Sequence, residues 1–438
     1  MKKLLLTTVV ALATVNMQAQ PPSDSSPKYP SGATKAYSSG TNTLTSQTLS
    51  SSTQYYNVVQ VSGGTLTMTD CTLTKTGSGS SGDNSSFYGN NSTVYAGSAS
   101  SSGYSSTTSA SGAKIIISGG GITSSSQGAN AVFATNGATI EVDGITIVNN
   151  SSVSRGLHAT YGGIIKASNV NITTNEATSS TIATDRGGGT VTVNGGTATA
   201  NGSKSAVIYS TGTMSATDLV GKSAKGEIAV IEGDNSISMT NCTMTSGSSE
   251  RGLLMMQSGS GDASGVNPVM TITGTSLTMT DSSAPLLEVA TCVTATCTLS
   301  GCTLTVPSGI IMYVMADSQW STSGAVGNLV LDNGTYTGIV KYDTGYTANV
   351  TVNSGAVWNL TANTTISKLV NNGTINCNGY TLTYSSKSGS GTINATTGIE
   401  NITNQKENKV NPRYDLSGRR VNITKKGIVI QGGKKYLN

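Results

Sequence analysis

The chain has 438 residues, of which 11% are charged, one is His and 53 are Gly. So much Gly, Ser, Thr and Asn excludes long helices and favours tight turns, yet apolar residues recur too regularly for a disordered polar tract. The net charge of +4 is unevenly placed: Lys2 and Lys3 carry +2, and the segment from Lys406 onward sets nine Lys/Arg against Glu407 and Asp415, leaving a body with 14 basic and 19 acidic residues, a poor partner for nucleic acid.

Residues 1–19 have the form of a secretory signal peptide, with Lys2 and Lys3, an apolar run from Leu4 to Val15 and a close on Ala19. The run is too short to span a bilayer, and no later stretch is long and apolar enough for a transmembrane segment. The expected location is therefore secreted or on the outer cell surface. Residues 20–54, with Pro21, Pro22, Pro27 and Pro30, read as an exposed lead-in and N-terminal cap.

From residue 55 a spacing repeats with almost no repeated identity. Ile140, Val142, Ile145 and Ile147 fall at offsets 0, 2, 5 and 7, and Ile165, Ala167, Val170 and Ile172 do the same 25 residues later. Offsets of two place alternate residues on one face of a strand, and the step of three marks a bend before a second strand. Units start at Leu66, Ile115, Ile140, Ile165, Val191, Met214, Ile237, Ile272, Cys297, Leu329, Val350 and Ile375. A third apolar element follows at Val94, Val132, Leu157, Ile182, Val207 and Val230. Longer steps coincide with Ser/Gly-rich insertions at 77–111, 257–268 and 317–327. Strand, bend, strand, loop, strand and turn at this period predict an all-β, right-handed parallel β-helix over residues 55–395, about 12 coils of ~25 residues.

Cys71, Cys242 and Cys302 fall at offset 5, Cys297 at offset 0 and Cys377 at offset 2, where aliphatic residues stand in other coils. They read as buried single thiols, with Cys292 outside the pattern. Cys292, Cys297 and Cys302 lack the pairing of a zinc site, and neither a metal nor a cofactor is expected.

Outward positions carry the candidate chemistry. Glu141 and Lys166 stack as an exposed pair, and offset 6 is rich in Thr: Thr72, Thr146, Thr197, Thr243, Thr278, Thr303 and Thr381. Such Thr suits solvent-facing strands and is the weaker basis for an ice-binding array. On the third face the outward column reads Tyr95, Phe133, His158, Ala183, Ile208 and Ile231, with Tyr161, Asp185 and Arg186 at the adjoining turn. Rings one strand apart could stack on sugars while Asp185 and Arg186 bond hydroxyls or carboxylates; equally, these side chains could support loops folded back over the face. Tyr95, Phe133, His158, Tyr161, Asp185 and Arg186 are the candidate ligand-binding residues. No catalytic residue is assigned: Asp185, Glu232, Asp234 and Glu250, beside Arg155, Arg186 and Arg251, come nearest to a carboxylate cluster, and Gly259–Asp262 (GSGD) is a weak metal-loop signal.

The coil texture GLHATYGG, IATDRGGGTVTVNGG, IYSTG and IEGDNSISMTN resembles the secreted adhesin-like β-helix proteins of gut and other anaerobic bacteria, within the pectin-lyase-like architecture. The resemblance implies an exported, non-catalytic protein that binds polysaccharide or a cell-surface glycan or protein. The alternatives are a polysaccharide lyase or glycoside hydrolase on the same scaffold, or a passive structural stalk. After a linker at 396–411, residues 412–438 are basic. Their YDLSGRRV, KGIVI and GKK are similar to the type IX sorting tails of Bacteroidetes surface proteins, which implies recognition by export machinery. Two strands joined across Asn422 to Lys426 are expected there as a hairpin.

Overall fold

The computed structural model describes residues 27–79, 83–98, 112–257, 263–316 and 324–395, and within the tail 413–416, 419–421, 428–431 and 434–437. The signal peptide, the linker and the 259–262 loop lie outside the described residues. A break between Thr396 and Thr397 separates two compact units.

The first unit is a right-handed parallel β-helix. One column of Cα partners runs Leu66, Ile115, Ile140, Ile165, Val191, Met214 and Ile237, each hydrogen-bonded strand to strand with its counterpart one coil on. The first two faces belong to one 22-stranded sheet, because strands such as Gly163–Thr174 and Gly189–Ser203 pass through the bend unbroken. The third face is a 12-stranded sheet running from Gly32–Tyr37 to Ile339–Tyr342. No coil buries its apolar row alone; stacking joins Ile140, Val142, Ile145 and Ile147 to their equivalents in one continuous core.

The register corrects the sequence reading at both ends and once between. The coil begins at Gly32, since Gly32–Tyr37 pairs with Tyr56–Val61 and Thr41–Thr45 with Thr65–Thr69. This first coil escapes the apolar pattern because Asn42 stands opposite Leu66, its amide donating to the Ser39 carbonyl. Ile237 faces Met270, with Ile272 opposite Met239. The Met-Thr-Ile-Thr run alternates, so a start two residues late selects the same face and gives no warning. That moves Leu277 to the seventh offset and Thr275 to the fifth. At the other end Val350 faces Leu369, and Ile375 lies in a different sheet opposite Trp358. There the third face has ended and successive coils are only 18 residues apart. Buried Tyr336 and Trp358 fill the narrowing core, their polar ends donating to the Leu299 and Gly338 carbonyls.

The corner slot at offset 5 explains its cysteines. The Cys71, Cys242 and Cys302 thiols each point at the carbonyl two residues back and at one on the preceding coil, as in Cys302 Sγ to Ser300 O at 3.6 Å and to Ile272 O at 3.2 Å. Thr275 does the same job, donating to Thr273 O and accepting from the Cys242 amide. The slot takes aliphatic Ile145, Val170 and Leu219 in other coils, and where sulfur or hydroxyl stands instead the corner carbonyls gain a donor. None of the six cysteines forms a disulfide, and only Cys292 is exposed.

Two surface expectations change. Glu141 pairs with Lys114 at 3.0 Å, although Lys166 stands beside it in register; both partners of the observed pair are well exposed, so it contributes below about 1 kcal/mol. The offset-6 column reads Thr72, Gly121, Thr146, Asn171, Thr197, Val220, Thr243, Ser276 and Thr303. Thr278 falls two residues outside it, Thr381 lies in the narrowed coils, and exposed Val220 breaks the array.

The second unit contains four short antiparallel strands ordered Arg420–Val421, Arg413–Tyr414, Ile428–Gln431 and Lys434–Leu437. The expected pairing across 422–426 does not form; both flanking strands pair with Arg413–Tyr414. Asp415 sets this arrangement. Its carboxylate accepts from the Arg419 amide at 3.0 Å while its own amide donates to the Arg419 carbonyl at 2.9 Å, closing a turn that joins 413–414 to 420–421.

Candidate functional site

The outer side of the third sheet gathers every candidate residue. In register its column runs Gln60, Tyr95, Phe133, His158, Ala183, Tyr209, Val230, Leu254, Glu288, Tyr313 and Lys341. Ile208 and Ile231 therefore point inward, and Tyr209 and Val230 take their places. Both sides of the sheet are apolar around Val207-Ile208-Tyr209 and Ala229-Val230-Ile231, so alternation cannot fix the face there, and a one-residue slip inverts it.

The six candidate residues form one cluster. The Tyr95 and Phe133 rings stack 5.7 Å apart, and His158 meets Phe133 edge-on at 5.4 Å. His158 Nε2 and the Arg155 guanidinium each lie 3.9 Å from the Asp185 carboxylate. The Asp185 carboxylate accepts from the Arg186 amide, and the Tyr161 amide donates to the Arg186 carbonyl.

This cluster is roofed. The insertion after the second coil contains a short helix, α1 (Asp83–Tyr88), whose Phe87 and Tyr88 are buried with Tyr95, Phe133 and His158. Tyr88 stacks on Tyr161 at 6.4 Å, and the Arg186 guanidinium lies 4.1 Å over the Phe87 ring. Arg155 donates to Ser86 Oγ and Thr160 Oγ1 to the Phe87 carbonyl. Gly89, at φ +61°, follows α1 against the Phe133 ring, where a Cβ would sit 2.1 Å from a ring carbon. Thus Tyr95, Phe133, His158 and Asp185 are covered, and Tyr161 and Arg186 are half-buried. Burial first, and Arg155 second, hold the His158 pKa well below its usual 6.5, so the ring is neutral. Burial, with Tyr88 adding to it, pushes the Tyr161 phenol up.

Beyond α1 the same side is furnished differently. Val230, Leu254, Met256, Ala206 and Ala290 form a small apolar floor separate from the main core, with half-buried Tyr209 packed against it. Polar pairs surround that floor. Tyr209 Oη donates to Glu232 at 2.5 Å, and Arg251 holds Glu227 at 3.1 Å and Glu288 at 3.0 Å. Tyr313 Oη donates to Asp343 at 2.7 Å, a bond that raises its pKa, and Lys341 lies 6.0 Å from its ring. The carboxylates grouped from sequence do not converge: Asp185 goes to Arg155, Glu232 to Tyr209, Glu250 to Arg251 at 3.5 Å, and Asp234 accepts from the Asn267 amide. Apolar alternation misses Tyr209 because both sides of its strand are apolar, and it misses Glu288 and Tyr313 because the column extends past Ile231; the third strand followed through Leu253–Met256, Leu287–Val289 and Ile310–Val314 reaches these two, and Asp343 lies just past Ile339–Tyr342.

Among the described residues no helix is long and apolar enough to cross a membrane. No family model, no curated protein and no solved structure matches the chain.

Proposed function

We propose that this protein is an exported, non-catalytic, adhesin-like β-helix that holds a glycan or a glycan-bearing cell surface along the outer side of its third sheet, on the coils beyond α1. The observation that carries this reading is the strip from Tyr209 to Tyr313. Tyr209 and Tyr313 are half-buried beside an apolar floor that is itself covered, and the polar groups around it have partners, so a sugar would meet the open parts of two rings and fixed acceptors at little ordering cost. Its coils repeat about every 4.8 Å, so weak contacts add along an extended polymer. The Tyr95–His158 column, covered by α1, offers no open surface.

A glycan array probed with the full chain and with Tyr209→Ala/Tyr313→Ala tests this. Retained glycans lost by the double variant at unchanged strand content support it; no retention by the wild type, or retention indifferent to both tyrosines, removes it. A second reading has one favouring observation: Glu232 and Glu288 are both buried carboxylates beside the same floor. A polysaccharide panel assayed for reducing ends or unsaturated products, with activity abolished in Glu232→Gln or Glu288→Gln, would make the protein a hydrolase or lyase instead. The basic tail, 412–438, is proposed as an export signal on the YDLSGRRV, KGIVI and GKK phrases that it carries. Removing residues 413–438 should leave the protein inside the cell envelope.

A further inference from the structure

The repeating unit has a fifth inward slot, at offset 9, and it is polar. In register it reads Ser51, Lys75, Ser124, Asn149, Thr174, Ala200, Ser223, Ser246 and Met279, all buried. It lies on the same side of the second-face strands as Leu73, Ile122, Ile147 and Ile172, within the wall of the core.

Most of these groups serve the loop that follows. Ser223 Oγ donates to Ser205 O and accepts from the Gly226 amide; Ser246 Oγ donates to Gly226 O and accepts from the Ser248 amide. Lys75 Nζ donates to Thr53 O, and Asn149 Nδ2 to Arg155 O. On three successive coils, however, Ser124 Oγ, Asn149 Oδ1 and Thr174 Oγ1 have no protein partner. In those coils the loop is served instead by a serine ladder, in which Ser154 Oγ accepts from the Ala129 amide and Ser179 Oγ from the Ser154 amide, three residues before the third strand.

Leaving three buried polar atoms unpaired is costly, and native interiors resolve this with ordered water. The slot has room: Ser124, Asn149 and Thr174 stand where Lys75 and Met279 fit long side chains. The spacing also suits water. Two hydrogen bonds of about 2.85 Å span the inter-strand repeat of about 4.8 Å at an angle of roughly 115°, close to tetrahedral. We infer that the offset-9 corner of these three coils binds a file of at least two internal waters, one between Ser124 and Asn149 and one between Asn149 and Thr174. The core is therefore wet along this corner of these three coils.

Oxygen-17 relaxation dispersion of the full chain counts long-lived internal waters. The wild type should exceed Ser124→Ala/Thr174→Val by two, and Thr174→Val alone should lower the melting temperature because a bonded water loses an anchor. Equal dispersion overturns the inference, as does a melting temperature raised by Thr174→Val, the result expected where a dry, unpaired hydroxyl is removed. If the double variant fails to fold, a high-resolution density map of the wild type decides: waters within 3.2 Å of these atoms, as the hydrogen-bond range requires, or none.

Discussion

Lys75→Met should stabilise the protein, and the effect should depend on pH. Lys75 is buried at offset 9, donating to Thr53 O at 2.5 Å, and burial lowers its pKa from 10.5 to about 8. That drop corresponds to at most about 3.4 kcal/mol of penalty on the charged folded form, and to roughly half as much after residual solvent screening is allowed for. The lost hydrogen bond returns about 1 kcal/mol. Methionine fits the slot, since Met279 occupies it in a later coil, so the expected gain at pH 7 is about 1 kcal/mol. The sign with pH follows from a depressed base. The unfolded chain takes up the proton as pH falls through 10.5 and the folded chain only near 8, so wild-type stability declines across that window and is flat below it. Melting curves of both proteins from pH 7 to 10.5 should converge toward the alkaline end. A constant offset across this range, or a less stable variant at pH 7, would refute the assignment of a strained ammonium.

His158 predicts a second pH window. With its folded pKa held below 6.5, stability is full above about pH 6.5 and falls as the unfolded state gains a proton below it; urea titrations between pH 4.5 and 7 should show a slope that His158→Phe reduces. Native protein should present one thiol of six to a disulfide reagent, because only Cys292 is exposed, and burial raises the Cys242, Cys302 and Cys377 thiols and pushes Cys297 up to about 12. Thr178, half-buried, sits at φ 56°, a left-handed conformation its branched side chain tolerates poorly, so Thr178→Gly should raise stability by about 1 kcal/mol in thermal melts.

The architecture was legible because a stacked coil imposes the same demand at each turn. Ile140 and Ile165 must hide the same way, so their spacing survives without identity. The failures share one cause. A phase read from apolar alternation holds only where one side of the strand is polar. At 207–209 and 229–231 both sides are covered, so the text supports either face and the reading slipped by one. At Met270 and Ile272 the slip was by two and left the face unchanged. The polar fifth slot was invisible for the converse reason, since Ser124, Asn149 and Thr174 resemble solvent-facing residues in composition and only register places them inside.

The candidate site divides along the same line between what spacing encodes and what an insertion adds. Spacing brought Tyr95, Phe133 and His158 to adjacent strands, but burial of those rings is decided by α1, whose last residue, Tyr88, stands 45 residues before Phe133 and 70 before His158. An insertion thrown out after the second coil returns to cover the rings of the next three, and Arg186 and Tyr161 at their turns hold Phe87 and Tyr88 in place. The column then reaches Ala183, itself buried, whose coil still meets α1 through Arg186 on the Phe87 ring. From Tyr209 onward the same side must satisfy its apolar floor by other means, and it does so with charges locked in pairs. Tyr209 and Tyr313, half-buried and each bonded to a carboxylate, are the rings of this column that stay partly open, and the proposed recognition is to be sought on them.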